Sequence, residues 1–562
     1  RYYESIMGGS YVSPNPEVDE WVKSKFLSSL NSHTNKTITS NDIDKLFKLL
    51  PFKSAPGIDG VTAEHFVHGN STFLRQHLAS LCSVIFSYTI VPDVLKIGVI
   101  SPILKKAGLN PNEPANYRPI TVCSVYSKLV ELLITVPDKV SDNQFGFRAK
   151  RGTDFCNILL DDITAYYKAN GSPIFVCSMD VENCFDKIWH DGLFMKLWDS
   201  LEVTDWRLLY KWYKDMSAVV KWRHTLSNKF RMLRGTRQGS CLSPRFFNLF
   251  INDLLLQLEK ADFGVRVGNV KINSFAYADD INLISATAPG LQSLIDICFN
   301  YANTWGFNFG QGKTKCMITG DRSLVSHPSN INHFQWFLGK HTLQVVDELE
   351  ILGVTYTSSC SYSSHVNRRC AAARRAVYRY ASAGMTYPGL STQAKSYLWK
   401  TVGIPSIKYG MNCIKLTKGN RDELESTQGT IIKHVMGLSK RHRHSRLLKA
   451  LDIPKVITCI EKDFVSLLSR IVYSPSVVQS VFFHLLAKYI TEGKIYKGSS
   501  IDNFSEWGLS LCTVFDSGYH KSTCSFENDG IVDTIKYLVE KPRYRVPGSY
   551  EYTFTELLTR SF

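Results

Sequence analysis

The stretch S-F-A-Y-A-D-D-I-N-L-I-S (residues 274–285) decides the reading of this chain. Asp279 and Asp280 stand side by side in an otherwise apolar run. Ile272, Phe275, Ala276, Tyr277 and Ala278 precede them, and Ile281, Leu283 and Ile284 follow. Adjacent carboxylates repel, and a buried charge without a partner is costly. The alternation predicts a β-hairpin with the acidic pair at its turn. A third carboxylate, Asp180, ends the β-branched apolar run I-F-V-C-S-M-D-V (174–181), and Asp186 follows six residues later. If that strand lies beside the hairpin, three carboxylates converge, and such a cluster needs cations. Hard divalent ions with oxygen ligands, Mg²⁺ above all, are the natural partners. Two such ions about 4 Å apart can activate an attacking hydroxyl and stabilise a leaving oxygen in phosphoryl transfer. Taken alone, a solvated Ala-Asp-Asp turn explains the pair equally well.

With 562 residues the chain is past the size of a single core, so several domains are expected. Apolar content of 44% and charged content of 21% are ordinary for a globular protein and argue against extensive disorder. There is no apolar run long enough for a transmembrane helix. The start, R-Y-Y-E-S-I-M-G-G-S, has neither an initiator Met nor an apolar signal core, so a fragment or a processed piece without a secretory signal is expected. The 14 cysteines are scattered without a C-x-x-C pair, which points to reduced thiols. Cys360, His365 and Cys370 lie close in sequence, but their spacing fits no common zinc site.

The net charge is +16. Residues 361–455 hold 18 Lys+Arg against 4 Asp+Glu, a local excess of 18 − 4 = +14. A solvated face does not account for so concentrated a charge; a polyanion, most simply nucleic acid, does.

Along the chain, residues 1–50 predict amphipathic helices, one of them capped at Ser40 or Asn41. P-F-K-S-A-P-G-I-D-G-V (51–61) is a loop entering a helix at T-A-E-H-F. Residues 94–104 predict a short strand pair around Pro102, and N-E-P-A-N-Y-R-P-I-T-V a turn and a strand. Residues 243–259 predict a long helix, opened by Ser243 as cap and Pro244 as first residue. G-L-Q-S-L-I-D-I-C-F-N-Y-A-N-T-W-G predicts another helix, and E-L-E-I-L-G-V-T-Y-T-S a strand. Beyond about residue 360 the pattern is helical. The fold class expected is α+β, with a separate basic helical domain.

The ordered series A-P-G-I-D-G, N-Y-R-P-I, F-G-F-R, D-V-E-N-C-F-D, R-Q-G-S-C-L-S-P-R-F-F-N-L-F-I-N-D-L, Y-A-D-D, G-K-T-K and L-G-V resembles the successive motifs of reverse transcriptases. N-Y-R-P-I, Q-F-G-F-R-A-K-R-G-T and R-G-T-R-Q-G-S-C-L-S-P are most similar to the non-LTR (LINE-type) retrotransposon group. The resemblance covers roughly residues 45–455. It implies a right-hand polymerase with an α-helical thumb. The expected divisions are an N-terminal helical extension (1–50), fingers and palm (51–358), a basic helical thumb (359–455) and a C-terminal helical extension of unknown role (456–562).

Residue by residue, the resemblance implies metal-binding carboxylates at Asp180, Asp279 and Asp280, with the carbonyl of Val181 as a further ligand. The metals would be two Mg²⁺ ions, with Mn²⁺ as the alternative. Phe185 would gate the nucleotide sugar and favour dNTPs, although a core Phe beside the strand would look the same. Asp186 matches a family position without a direct metal role. Gln238 would lie against nucleotide and template, with Gly235 and Gly239 allowing close backbone approach. Arg118 would grip the triphosphate, with Lys105 or Lys106 beside it. Lys313 would protonate the pyrophosphate leaving group, although G-Q-G replaces the Asn-Pro that often precedes that lysine. Tyr277 and Ala278 would lie along the primer end and the nucleotide, and Gly353 in L-G-V would belong to the primer grip. In the basic segment, Arg368, Arg374 and Arg375 with Tyr378, then Lys440, Arg441, Arg443 and Arg446, would track phosphates of the template–primer duplex. K-R-H-R-H-S-R could also serve as a nuclear localisation signal.

The function implied is RNA-directed DNA synthesis: nucleotidyl transfer of dNTPs onto a primer 3′-OH in target-primed reverse transcription. The partners implied are an RNA template, a DNA primer or nicked target DNA, and dNTPs, with no membrane. The location implied is the nucleus, and the cytoplasm as a ribonucleoprotein. Two other readings compete. One is an inactive, retrotransposon-derived RNA-binding protein; the other is an RNA-dependent RNA polymerase, which Phe185 and R-Q-G…S-P oppose. No endonuclease or RNase H pattern is visible in the sequence.

Overall fold

The computed structural model describes residues 1–9, 11–31, 35–106, 108–321, 334–386, 389–439 and 441–506. Lys440 and the stretch 507–562 of the expected C-terminal extension lie outside the described residues. The chain forms two compact units, each assembled from three separated segments. One comprises Arg1–Phe147, Asp180–Gln257 and Ile297–Gly310; the other comprises Arg148–Met179, Leu258–Asp296 and Gln311–Phe562. No described helix is long and apolar enough to cross a membrane.

The first unit opens with helices Tyr2–Met7, Pro16–Ser29 and Ser40–Phe47. The last is capped by Thr39, not by Ser40 or Asn41 as expected. Thr39 and Asp42 bond each other's backbone N–H reciprocally, a box that Ser40 and Asn41 lack. The strands are numbered in chain order; β4 is Ser217–Trp222, β5 Thr225–Leu226, β6 Phe230–Arg231, β7 Val265–Val267, β8 Val270–Ile272, β12 Phe337–Leu338, β13 His341–Thr342 and β14 Gln344–Val345, and the others are given below. Strand β1 (Ile97–Leu104) runs unbroken through Pro102, where a strand pair was expected. It pairs antiparallel with β2 (Tyr117–Val122), and Pro102 stands opposite Pro119. Two facing prolines leave no N–H in want of a partner, so neither breaks the ladder. On its other side β1 pairs in parallel with Ser217–Trp222. The core of this unit is aromatic: Trp206 stacks on Tyr210, and Phe194 meets both rings edge-on.

The second unit is built on a five-stranded sheet. Strand β3 (Pro173–Asp180) is its centre. Strands β9 (Ser274–Tyr277) and β10 (Asp280–Ser285) form the expected hairpin, and β10 lies next to β3. On the other side, β11 (Lys315–Gly320) pairs antiparallel with β3. The apolar run of β3 is buried on both faces, and β10 and β11 satisfy the backbone along its two edges. Residues 348–357 form a hairpin where a single strand was expected: β15 (Glu348–Ile351) and β16 (Val354–Thr357) fold back at Leu352–Gly353. Helices follow, the longer ones being Ser363–Tyr378, Lys418–Val435, Val456–Val472 and Val477–Glu492.

The buried helix Thr153–Ala169 ties distant parts of this unit together. Asp161 accepts from the Tyr362 hydroxyl, and Asp154 meets Arg470. Asp162 accepts from Ser500 N at 2.6 Å and Ser500 Oγ at 2.9 Å. Cys360, His365 and Cys370 go separate ways. Cys360 Sγ faces Thr319, His365 bonds Thr355 N and Tyr409 O, and Cys370 is buried in its helix.

Candidate active site

Asp180 is the last residue of β3, and Asp280 is the first of β10. Asp280 pairs with Tyr277 across a two-residue turn, Ala278–Asp279. Asp180, Asp279 and Asp280 are all half-buried. Ala278 has φ +57° and is 4% exposed. An alanine in the left-handed region costs about 1 kcal/mol, which is the kind of strain that persists at functional turns. This turn has no Gly or Asn to relieve it.

The donor set suits a hard cation: carboxylates and a backbone carbonyl. The chain just past β3 forms an antiparallel bridge, Val181 to Phe309. The bridge is held by Gly310 N donating to Asp180 O and Glu182 N donating to Asn308 O, both at 2.9 Å. The Val181 carbonyl therefore points away from that bridge, as a ligand carbonyl must. Among the described residues no group of three His, Cys, Asp or Glu side chains stands closed as a metal cage.

Phe185 is half-buried, its ring 5.5 Å from Phe247 and 6.2 Å from Phe147 between centroids. The loop R-G-T-R-Q-G-S (234–240) threads between the Asp186 segment and β2. Gly235 has φ +84°, and a Cβ on it would lie 2.6 Å from the Asp186 carbonyl oxygen. A Cβ on Gly239 would lie 2.4 Å from the Thr121 carbonyl oxygen. Thr236 N donates to Phe185 O, and Thr121 N to Gln238 O, both at 2.6 Å. Gln238 Nε2 donates to Asp186 Oδ1 at 2.8 Å. Burial pushes the Asp186 carboxyl up to about 6, against the opposing pull of that bond and of Lys105 and Lys187.

A second device, absent from the sequence-based expectations, lies under this loop. Glu131 and Arg237 are both buried. Glu131 accepts from Ser240 Oγ and Cys241 N at 2.8 Å and from Arg237 at 3.4 Å. Arg237 also donates to Leu95 O and lies over the Trp212 ring. Ser243, expected as a cap, instead begins the helix Ser243–Lys260 and donates to Arg237 O. The one available signal was a lone acid in the apolar run L-V-E-L-L-I (129–134).

Lys105 and Arg118 are exposed on the β1–β2 hairpin. Ile103 is the partner of Arg118, and Lys105 N donates to Asn116 O. Lys313 is exposed in the turn before β11. Gly353 lies in the β15–β16 turn under Tyr409. Arg368 is drawn into ion pairs with Glu348 at 2.8 Å and Glu350 at 3.6 Å. Arg374 bonds Thr427, whereas Arg375, Arg441 and Arg443 are exposed.

A family profile described as reverse transcriptase (RNA-dependent DNA polymerase) matches residues 103–356, the span that holds this strand, hairpin and loop. Residues 103–356 thus match the reverse transcriptase family, and the similar curated proteins are polymerases of non-LTR elements. They include the probable RNA-directed DNA polymerase from transposon BS of Drosophila melanogaster, 27% identical over 60% of this chain and 38% of that protein. The RNA-directed DNA polymerase from mobile element jockey of Drosophila melanogaster is 22% identical over 78% of this chain and 48% of that protein. The Pol polyprotein of the type-2 element R2DM, from the same organism, is 24% identical over 54% of this chain and 29% of its own length. The chain thus spans less than half of each. A solved telomerase from Candida tropicalis aligns with a TM-score of 0.33 and 13% identity, over 51% of this chain and 59% of that one. The fold class is that of the right-hand polymerases, and the matched family depends on a divalent metal.

Proposed function

We propose that this reverse transcriptase copies RNA into DNA by transferring dNTPs to a primer 3′-OH, primed at a nicked target DNA. The observation that carries the reading is strand order: the strand ending in Asp180 lies beside the hairpin that turns at Ala278–Asp279 and resumes at Asp280. Asp180, Asp279, Asp280 and the Val181 carbonyl would hold two Mg²⁺ ions, which when bound would activate the 3′-oxygen and stabilise the departing pyrophosphate. Lys313 would give the pyrophosphate its proton. Arg118 and Lys105 would hold the triphosphate, and Phe185 would stand against the 2′ position of the sugar. Gln238 and Ala278 would bound the nascent pair, and Tyr277 and Gly353 the primer. The basic helices of 359–455, with Arg368, Arg374, Arg375, Arg441 and Arg443, would act as the thumb on the template–primer duplex. Their charge also supports action in the nucleus, which imaging of the tagged chain with and without its K-R-H-R-H-S-R tract would test.

The test is primer extension on poly(rA)/oligo(dT) with Mg²⁺. Extension with dTTP but not rUTP, lost in Asp279→Asn, is the expected result. A folded protein that binds the duplex but extends nothing would instead mark an inactive RNA-binding chain.

A further inference from the structure

Asp186 is a buried carboxylate whose one side-chain hydrogen bond among the described residues comes from Gln238. A buried carboxylate without a salt-bridge partner is expensive, and an apolar residue would fill the space at lower cost. An ionised carboxylate only accepts hydrogen bonds. It therefore forces the Gln238 amide to turn its Nε2 inward and present Oε1 on its other side. The rest of Gln238 is already fixed. Its carbonyl accepts from Thr121 N, and the glycine on either side of Thr236–Gln238 lies against a neighbouring backbone. The direction of the amide is the remaining freedom, and Asp186 removes it.

We propose that Asp186 is a positioning residue that sets which face of the Gln238 amide meets the incoming nucleotide and its templating base. The inference rests on the polymerase reading above. Asp186 touches neither substrate nor metal in this scheme and acts only through Gln238. It explains why an acid stands directly after the sugar-facing Phe185.

The titration of Asp186 offers a probe. The charged and titratable groups that face it are Lys105, Lys187, Tyr2 and Tyr3. Both tyrosines are pushed upward by burial, and Tyr3 reaches about 12. His190, which bonds Gly235 O in the same loop, is held down to about 4 by burial. None of these three titrates near Asp186. A protonated Asp186 could donate to Oε1 and let the amide turn over. The pKa is raised, so the orienting carboxylate is present above about 6 and lost below it.

The experiment is steady-state dTTP incorporation on poly(rA)/oligo(dT) with Mg²⁺, from pH 5 to 8. It compares the wild type with Asp186→Asn, Gln238→Ala and the double variant. Asparagine offers both a donor and an acceptor and no longer dictates the amide's direction. The expected result is a KM for dTTP raised about tenfold in each single variant at pH 8, with kcat within about twofold. The double variant is expected to match Gln238→Ala alone, as coupled residues do. The wild-type KM should rise as pH falls through about 6, and that rise should be absent from Gln238→Ala, a comparison in which Asp186 is not altered. Additive effects, or a pH profile unchanged by Gln238→Ala, would overturn the inference while leaving the polymerase standing. A wild type that incorporates no dTTP would overturn both.

Discussion

The Tyr409 hydroxyl donates to the Leu352 carbonyl at 2.9 Å, and its ring covers Gly353. Leu352 has φ +49° and Gly353 φ +78°, the mirror-image turn that fits a twisted hairpin. Leucine resists that conformation by about 1 kcal/mol, so the bond from Tyr409 holds a strained turn in place. Tyr409→Phe removes about 1 kcal/mol. If the turn grips the primer, duplex affinity should fall about fivefold in filter binding while the far-UV spectrum is retained. Unchanged affinity would remove this turn from the primer-binding surface.

The Glu131–Arg237 pair carries a different expectation. Both groups are buried, and Glu131 also holds Ser240 and Cys241. Glu131→Ala would strand the guanidinium and cost about 3 kcal/mol or more. Thermal melting should show the loss, with dTTP incorporation falling in the same temperature range. A melting curve like the wild type's would mean that Arg237 finds another partner.

Phe185 gives a specificity test. Packed on Phe247, its ring cannot swing far. Phe185→Val should raise the ratio of rUTP to dTTP incorporation by about tenfold or more, since removing the ring removes a clash worth over 1 kcal/mol. An unchanged ratio would assign the ring to the core alone.

Asp162 predicts a pH dependence of stability. Burial raises its carboxyl to about 7, although Ser500 opposes this through two hydrogen bonds. For an acid raised on folding, the contribution to stability is fully present below the unfolded value near 4 and is lost as pH rises through the folded one. Melting temperature should therefore fall by a few degrees between pH 5 and 8, and Asp162→Asn should flatten that part of the curve. A slope that survives the substitution would place the titration elsewhere.

What was legible in the sequence was what repeats along the chain. Alternation around Asp279 marked the hairpin, and the apolar run ending in Asp180 marked a strand covered on both sides. Thr39 was passed over as a cap because its partner Asp42 counts only once the reciprocal bonds are seen. Pro102 looked like a break because nothing in a sequence announces that Pro119 will face it. Glu131, Tyr409 and the bond from Gln238 to Asp186 escaped for the same reason. Each depends on residues 52 or more positions apart, and their meaning exists only after the chain has folded.

The bond between Ser500 and Asp162 joins residues 338 positions apart, and each compact unit is stitched from three stretches of chain. The order of synthesis is therefore not the order of assembly. While the ribosome is still making the helices beyond residue 455, Asp162 of the segment Thr153–Ala169 has no Ser500 to bond. Such late closure is slow and leaves apolar surface open to aggregation in the meantime. A nascent chain halted after residue 455 should thus be cut by protease within Thr153–Ala169, and one released after residue 506 should resist.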